Sequence, residues 1–317
     1  MPAGPLRSLG SSGLHVSIMS LGSWRTFERI SRDDGAAVMR AARDAGINFL
    51  DDARYNDETG TAPIPTGYSE VVFGELFRAA GWVRDEVVVA NKLWWEHWPR
   101  EDAAAELDGS LARMGLDHVD LIYAIRPPAE LAISTVVEQV GGLISSGRAR
   151  AWGTGMWSAA QHHEALDACQ AAGVPPPAAA QMATSLVDHD GPDDPEMRRA
   201  FDRGPIGLVA SYVLAGGTLT GKYAAGQGAG GVGRADDDES PVIARGKQLA
   251  PAVVEMAQRW GIPASHVAFA YAFMHPNLAS VVFGASSVAQ LHGNVAAFAS
   301  FEGLDAEQRA AISALAN

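Results

Sequence analysis

The sequence predicts an α/β chain folded as one (β/α)8 barrel of the TIM type, with an N-terminal β-hairpin, across residues 1–317. Three observations carry this. Eight short runs rich in Val, Ile and Leu recur along the chain, each followed by a loop and an amphipathic helical stretch, the pattern of parallel strands covered by helices. Gly46, Gly115, Gly147 and Gly173 stand where helical stretches end, each a few residues before the next apolar run, as left-handed C-caps do. No Gly-x-Gly-x-x-Gly turn follows the first run, so eight units in 317 residues fit a closed barrel better than an open dinucleotide-binding sheet.

Taken in order, the segment 6–17 with its Ser-Ser-Gly turn reads as a hairpin placed to plug the bottom of the barrel. The strand candidates are 18–24, 47–53, 86–93, 118–127, 150–157, 178–184, 206–213 and 278–285. Helices are expected over 33–45, 69–80, 100–114, 130–146 and 158–172. Two irregular stretches fall after strands, on the face where this fold assembles its sites. One is 56–67. The other, 224–240, is Gly-rich, then acidic, and reads as a lid over the site or as a solvated linker.

A hydrophobic content of 47% suffices for a large core. The net charge of −13, from 24 basic and 37 acidic residues, argues against nucleic acid or an anionic membrane as partner and leaves a small molecule as the expectation. The lone cysteine, Cys169, excludes an internal disulfide and reads as a buried thiol in a reducing compartment. No run is long and apolar enough for a secretory signal or a membrane span, so a cytoplasmic location is expected. Oligomeric state, including a homo-oligomer, is left open. His162-His163-Glu164 occupy adjacent helical positions facing different ways, so no metal site is expected. Gly-x-Ser-x-Gly and Gly-Lys-Ser/Thr motifs are absent, which removes the common hydrolase and NTPase readings.

The polar residues at or just beyond strand C-terminal ends are Asp51, Asp52, Tyr55, Lys92, Arg126, Thr154, Gln181, Tyr212 and Ser286. Lys92 closes the run Val87-Val88-Val89-Ala90-Asn91, so its ammonium faces burial unless a carboxylate answers it. Asp51, ending the neighbouring strand, is the obvious answer. A buried Asp–Lys pair beside a tyrosine is a device for acid catalysis, because an ammonium favours phenolate and draws the phenol toward the working pH range. Tyr55 would then give up a proton. An ion pair that only stabilises the barrel is the competing reading.

The opening Arg7-x-Leu-Gly-x-Ser-Gly-Leu-x-Val-Ser17, the strand Gly46-Ile-Asn-Phe-Leu-Asp-Asp-Ala53, Lys92, Gly221-Lys222-Tyr223 and Gly284-Ala-Ser-Ser-x-x-Gln-Leu-x-x-Asn294 together resemble the aldo-keto reductases. Leu21-Gly-Ser-Trp24, Asn91-Lys-Leu-Trp-Trp95, Arg126-Pro127 and Trp152-Gly-Thr154 are most similar to the branch containing the β subunits of voltage-gated potassium channels, which binds NADPH and reduces carbonyls slowly. The resemblance implies a catalytic set of Asp51, Tyr55 and Lys92. It implies an NADPH (NADP+) site built from Ser23, Trp24, Asp51, Gln181, Ser211, Tyr212, Leu214, Lys222, Gly284, Ser286, Gln290 and Asn294. It also implies a substrate pocket lined by Trp24, Trp94, Trp95 and Ile125.

The departures from the family pattern are equally specific. Ile125 stands where most of these reductases carry a catalytic histidine, and an aliphatic side chain cannot hydrogen-bond a carbonyl oxygen. Gly155-Met156 replaces the usual pair on the nicotinamide side. The aromatic that stacks on the nicotinamide aligns with Ser211, unless Tyr212 substitutes by a local shift. Tyr55 lies one residue closer to Asp51 than is usual, with Tyr68, beyond the 56–67 stretch, as the alternative donor; His97 is a candidate replacement for the histidine. Gly293 takes the place of an acidic residue beside the adenine, leaving NADP versus NAD open. Two functional readings remain: an NADPH-dependent oxidoreductase acting on a carbonyl, imine or conjugated double bond of a small organic substrate, or an NADP(H)-binding regulatory protein with vestigial turnover.

Overall fold

The computed structural model describes residues 3–58, 60–223 and 240–316, so the expected lid at 224–240 lies, apart from Ser240, outside the described residues. The chain enters through an antiparallel pair, β1 (Leu6–Ser8) and β2 (His15–Ser17), with Arg7 opposite Val16. Eight strands follow: β3 (Met19–Gly22), β4 (Phe49–Asp51), β5 (Val88–Leu93), β6 (Val119–Ile125), β7 (Ala149–Gly155), β8 (Ala179–Ala183), β9 (Gly207–Ser211) and β10 (Leu278–Phe283). All pair in parallel, and β10 closes on β3 to complete a barrel in the order β10-β3-β4-β5-β6-β7-β8-β9. The fold class and the hairpin read from the sequence are both present; the strand cores run one to four residues shorter than the apolar runs, which extend into the loops.

The outer layer comprises α1 (Arg32–Asp44), α2 (Tyr68–Ala79), α3 (Ala103–Met114), α4 (Ile133–Ser145), α5 (Ala159–Ala172), α6 (Asp190–Asp193), α7 (Pro195–Arg203), α8 (Pro241–Trp260), α9 (Ala264–Phe273), α10 (Val288–Glu302) and α11 (Ala306–Leu315). Local chemistry sets their ends. Ser31 Oγ accepts from Asp34 N at the start of α1, and Ser158 with Gln161 forms a reciprocal capping box on α5, satisfying amides that the helix itself leaves free. The four punctuating glycines adopt left-handed φ of 83, 67, 77 and 67° at residues 46, 115, 147 and 173. Among the described residues, no helix is long and apolar enough to cross a membrane.

Strand alternation divides the core. On β6, Leu121, Tyr123 and Ile125 join Phe49, Val88 and Ala90 in the barrel interior, whereas Ile122 and Ala124 pack outward with the helices. The hairpin plugs the bottom as expected: Leu9, Leu14 and Val16 are buried in the interior cluster. Gly10 makes that approach feasible, since a Cβ there would lie 2.4 Å from the Ala178 carbonyl oxygen and 2.6 Å from that of Pro205. Cys169 is buried in α5, in line with a structural thiol.

Candidate active site

The same alternation that sends Phe49 and Ala90 inward sends Asp51 and Lys92, two residues further along β4 and β5, into the mouth of the barrel. Asp51 is 5% exposed and Lys92 3%. Lys92 Nζ donates to Asp51 Oδ2 (2.7 Å) and to Tyr55 Oη (3.1 Å). Gln181 Nε2, from β8, donates to Asp51 Oδ1 at 3.3 Å. The lysine is therefore held between a carboxylate and a phenol, and its donation to Tyr55 Oη leaves the phenolic proton free to be given elsewhere.

Burial opposes the charge of Lys92, but the facing Asp51 carboxylate and Tyr55 oxygen outweigh it and raise its pKa, so the ammonium persists. Tyr55 corrects the expectation formed from sequence. Desolvation pushes its pKa above the ordinary value, and the attraction of Lys92 only partly offsets this. At neutral pH the phenol is a fully protonated donor rather than a group poised near its midpoint.

Tyr55 meets the Asp51–Lys92 pair and Tyr68 does not. Tyr68 begins α2 and accepts from Arg32 NH2 (2.9 Å), and it is not part of the cavity wall. Beyond Tyr55 the two ends of the following stretch are joined by an Asn56–Thr66 bridge and by Gly67 N donating to the Tyr55 carbonyl at 2.8 Å. A tight turn, Tyr55 N donating to the Ala53 carbonyl (2.9 Å), precedes the Tyr55 side chain that meets Lys92.

A cavity of about 900 Å³ opens above this trio. Asp51, Tyr55 and Lys92 line it, with Trp24, Trp94 and Ile125 of the expected substrate side. Gln181, Ser211, Tyr212 and Leu214 also line it, as do Lys222, Gly284, Ser286, Gln290 and Asn294. Two expected residues are not in the wall. The Ser23 hydroxyl turns away to donate to Asp52 Oδ1. Trp95, in a left-handed backbone conformation (φ 63°), is buried in the core and donates from Nε1 to the Ile125 carbonyl at 2.9 Å, so it packs rather than faces substrate.

Other strand-end candidates also point elsewhere. Asp52 is fully buried on the outward side, and desolvation together with nearby Glu70 raises its pKa well above the carboxylate range. Thr154 Oγ1 pairs with His162 Nε2 (2.8 Å), outside the wall. Arg126 is exposed and His97 half-buried, and neither lines the cavity. Sequence reading missed Arg25, Thr26, Arg29 and Ile30, which follow β3 and form part of the wall. Both arginines bind Glu58 of the 56–67 loop, Arg29 at 3.0 Å. Their only signal was position after a strand end. His266, also in the wall, is spoken for, with Nδ1 on Ser300 Oγ (2.7 Å) and Nε2 on the Gly293 carbonyl (2.8 Å).

The wall away from the trio suits a dinucleotide. Gly216 and Gly217 take left-handed φ of 66 and 88°, and a Cβ on Gly216 would lie 2.6 Å from Ile243 Cδ1. The stem of Lys222 lies along Gly217, 3.1 Å from where a Cβ would sit, which places one cation beside exposed backbone. The N-terminus of α10 reaches the same cavity through Ser286 and Gln290; Ser287 Oγ accepts from Gln290 N there, and the helix dipole favours anions. Tyr212, at φ 57°, lines the cavity together with Ser211, its ring centroid 6.2 Å from that of Trp24. Among the described residues, no cluster of His, Cys, Asp and Glu is arranged to hold a metal ion.

Comparison with known proteins decides the family. The model of the aldo/keto reductase family matches residues 18–317, almost the whole chain. The chain belongs to the aldo/keto reductase family. Its members are generally NADPH-dependent oxidoreductases. Curated relatives include a probable voltage-gated potassium channel subunit beta of Oryza sativa subsp. japonica, 30% identical over 311 residues and covering 92% of this chain and 90% of that protein. Another of the same description, from Arabidopsis thaliana, is 28% identical with the same coverage. The likeness to the channel-subunit branch is therefore seen across nearly the full length. Ile125 lies in the cavity wall against Gly155, where a Cβ would come within 2.4 Å of Ile125 Cδ1.

Proposed function

We propose that this aldo/keto reductase is an NADPH-dependent enzyme that reduces a small organic substrate, with Tyr55 donating the proton. The observation that carries this reading is Lys92 Nζ bound to both Asp51 (2.7 Å) and Tyr55 (3.1 Å) at the floor of the cavity. When bound, the reduced dinucleotide supplies the hydride. Lys222, Gly216, Gly217 and the α10 terminus would hold its phosphates; Ser286, Gln290 and Asn294 its adenosine end; Gln181 and Tyr212 its nicotinamide end. Tyr55 presents its hydroxyl to the atom that gains negative charge as the substrate is reduced, and Lys92 offsets the charge left on the phenol oxygen. Asp51 keeps Lys92 ionised and oriented.

The substrate side is apolar. Trp24, Trp94, Ile125 and Met156 form its walls, which suits an aromatic or hydrophobic molecule. Ile125 has no N–H or O–H, so it cannot assist Tyr55 at a carbonyl oxygen. That favours an imine, which once protonated on nitrogen accepts hydride at its carbon without a developing oxyanion, or a conjugated C=C or specialised ketone, over an ordinary aldehyde. Stopped-flow oxidation of enzyme-bound NADPH against a panel of aldehydes, ketones, imines and enones tests the assignment. Fast decay with at least one class, abolished by Tyr55→Phe, is expected. Uniformly slow decay with every compound, alongside tight dinucleotide binding, would replace it with a regulatory, redox-sensing role.

A further inference from the structure

Behind the cavity wall, a buried carboxylate joins the two segments that carry the reacting groups. Glu106, on α3, is 6% exposed, and Arg54, the residue before Tyr55, is 7% exposed. Glu106 Oε1 accepts from Trp94 N (2.8 Å) and from Arg54 NH2 (3.1 Å), while Oε2 accepts from Trp95 N (3.2 Å). Arg54 NH2 also meets Glu96 Oε2 at 3.2 Å. One side chain therefore satisfies two successive amides in the turn just past Lys92 and a guanidinium adjoining Tyr55. Across this junction the rings of Tyr55 and Trp94 meet edge-on, with centroids 6.1 Å apart.

A buried carboxylate is a costly way to fill space, and an apolar pair of similar volume is commonly as stable or more so. The cost is intelligible if the contact supplies geometry. We propose that Glu106 is a positioning residue: it locks the Trp94 turn to the Arg54–Tyr55 segment and thereby fixes the Tyr55 phenol against Lys92. This rests on Tyr55 being the proton donor. Glu106 does not line the cavity, so its effect should fall on the chemical step and not on dinucleotide affinity.

The test compares Glu106→Gln, the double variant Arg54→Leu/Glu106→Leu and Tyr55→Phe in the full-length protein. Glu106→Gln keeps one acceptor but loses the other oxygen and the charge that faces Arg54. The double variant removes the clamp without stranding the arginine, and is the one measured should Glu106→Gln not fold. NADPH affinity by fluorescence should stay within about twofold. The single-turnover rate at saturating substrate should fall about tenfold or more, as displacement of a reacting group demands, with a larger primary isotope effect from 4-deuterated NADPH. A folded variant with parental rate and isotope effect overturns the proposal, as does a loss of rate matched by an equal loss of NADPH affinity. Full activity of Tyr55→Phe would instead remove the proton-donor reading, while an inactive Tyr55→Phe beside an unimpaired Glu106→Gln would remove the clamp alone.

Discussion

Replacing Lys92 with methionine tests stability and chemistry together. The change keeps an aliphatic stem of similar length and deletes an ammonium that is 3% exposed and hydrogen-bonded to both Asp51 and Tyr55. Asp51, 5% exposed, then retains only Gln181 Nε2 at 3.3 Å as a side-chain donor shown for its carboxylate. Removing one member of a buried ion pair costs about 3–5 kcal/mol. At about 2.1 cal/mol/K of unfolding entropy per residue, a 317-residue domain loses roughly 1.5 °C per kcal/mol, so calorimetry should show a drop of about 5–8 °C. Separately, the phenol oxygen loses a charge-assisted hydrogen bond worth about 1.5–3 kcal/mol when it becomes phenolate. The single-turnover rate should then fall about 10- to 100-fold at a temperature where the variant is folded. A variant that melts within about 1 °C of the parent and oxidises NADPH at the parental rate would refute the reasoning, because neither outcome is compatible with a load on both partners.

Ile125→His should raise aldehyde reduction in the stopped-flow panel, and no gain would count against the substrate shift inferred from the isoleucine. Lys222→Met should weaken NADP+ binding by about tenfold or more and flatten its salt dependence, read by fluorescence titration at several ionic strengths. The Tyr55 and Lys92 pKa values both lie above their ordinary ones, so the single-turnover rate should be flat from about pH 6 to 9, and a rate that changes tenfold across that window would contradict the assignment. His162 is buried with its pKa pulled down from 6.5 to about 4, chiefly by desolvation. A base with a depressed folded pKa contributes stability that is present above about pH 6.5 and lost as pH falls toward 4, on the order of 3 kcal/mol. Chemical denaturation across that range should show the loss, and His162→Gln should reduce its slope.

The fold was legible because barrel strands are buried on both faces and so write themselves as unbroken Val/Ile/Leu runs. Lys92 at the end of such a run announced a partner, and the parity of strand positions made Asp51 that partner. Facing was harder beyond the strand ends. Ser23 and Trp95 follow residues that do point inward, and only the local backbone, left-handed at Trp95, turns that side chain away. The choice between Tyr55 and Tyr68 depended on how residues 56–67 close on themselves, a matter of pairing between Asn56 and Thr66 that spacing does not encode. The protonation of Tyr55 depended on burial by distant segments, a tertiary property. Glu106 gave no signal, since its partners at residues 54, 94 and 95 are brought to it by the barrel.

Crystals of the protein grown with NADP+ give the most direct test of the site. Nicotinamide C4 should face the Tyr55 hydroxyl across an open pocket, with the pyrophosphate beside Lys222. A nicotinamide bound away from Tyr55, or a titration that detects no dinucleotide binding, would contradict the account.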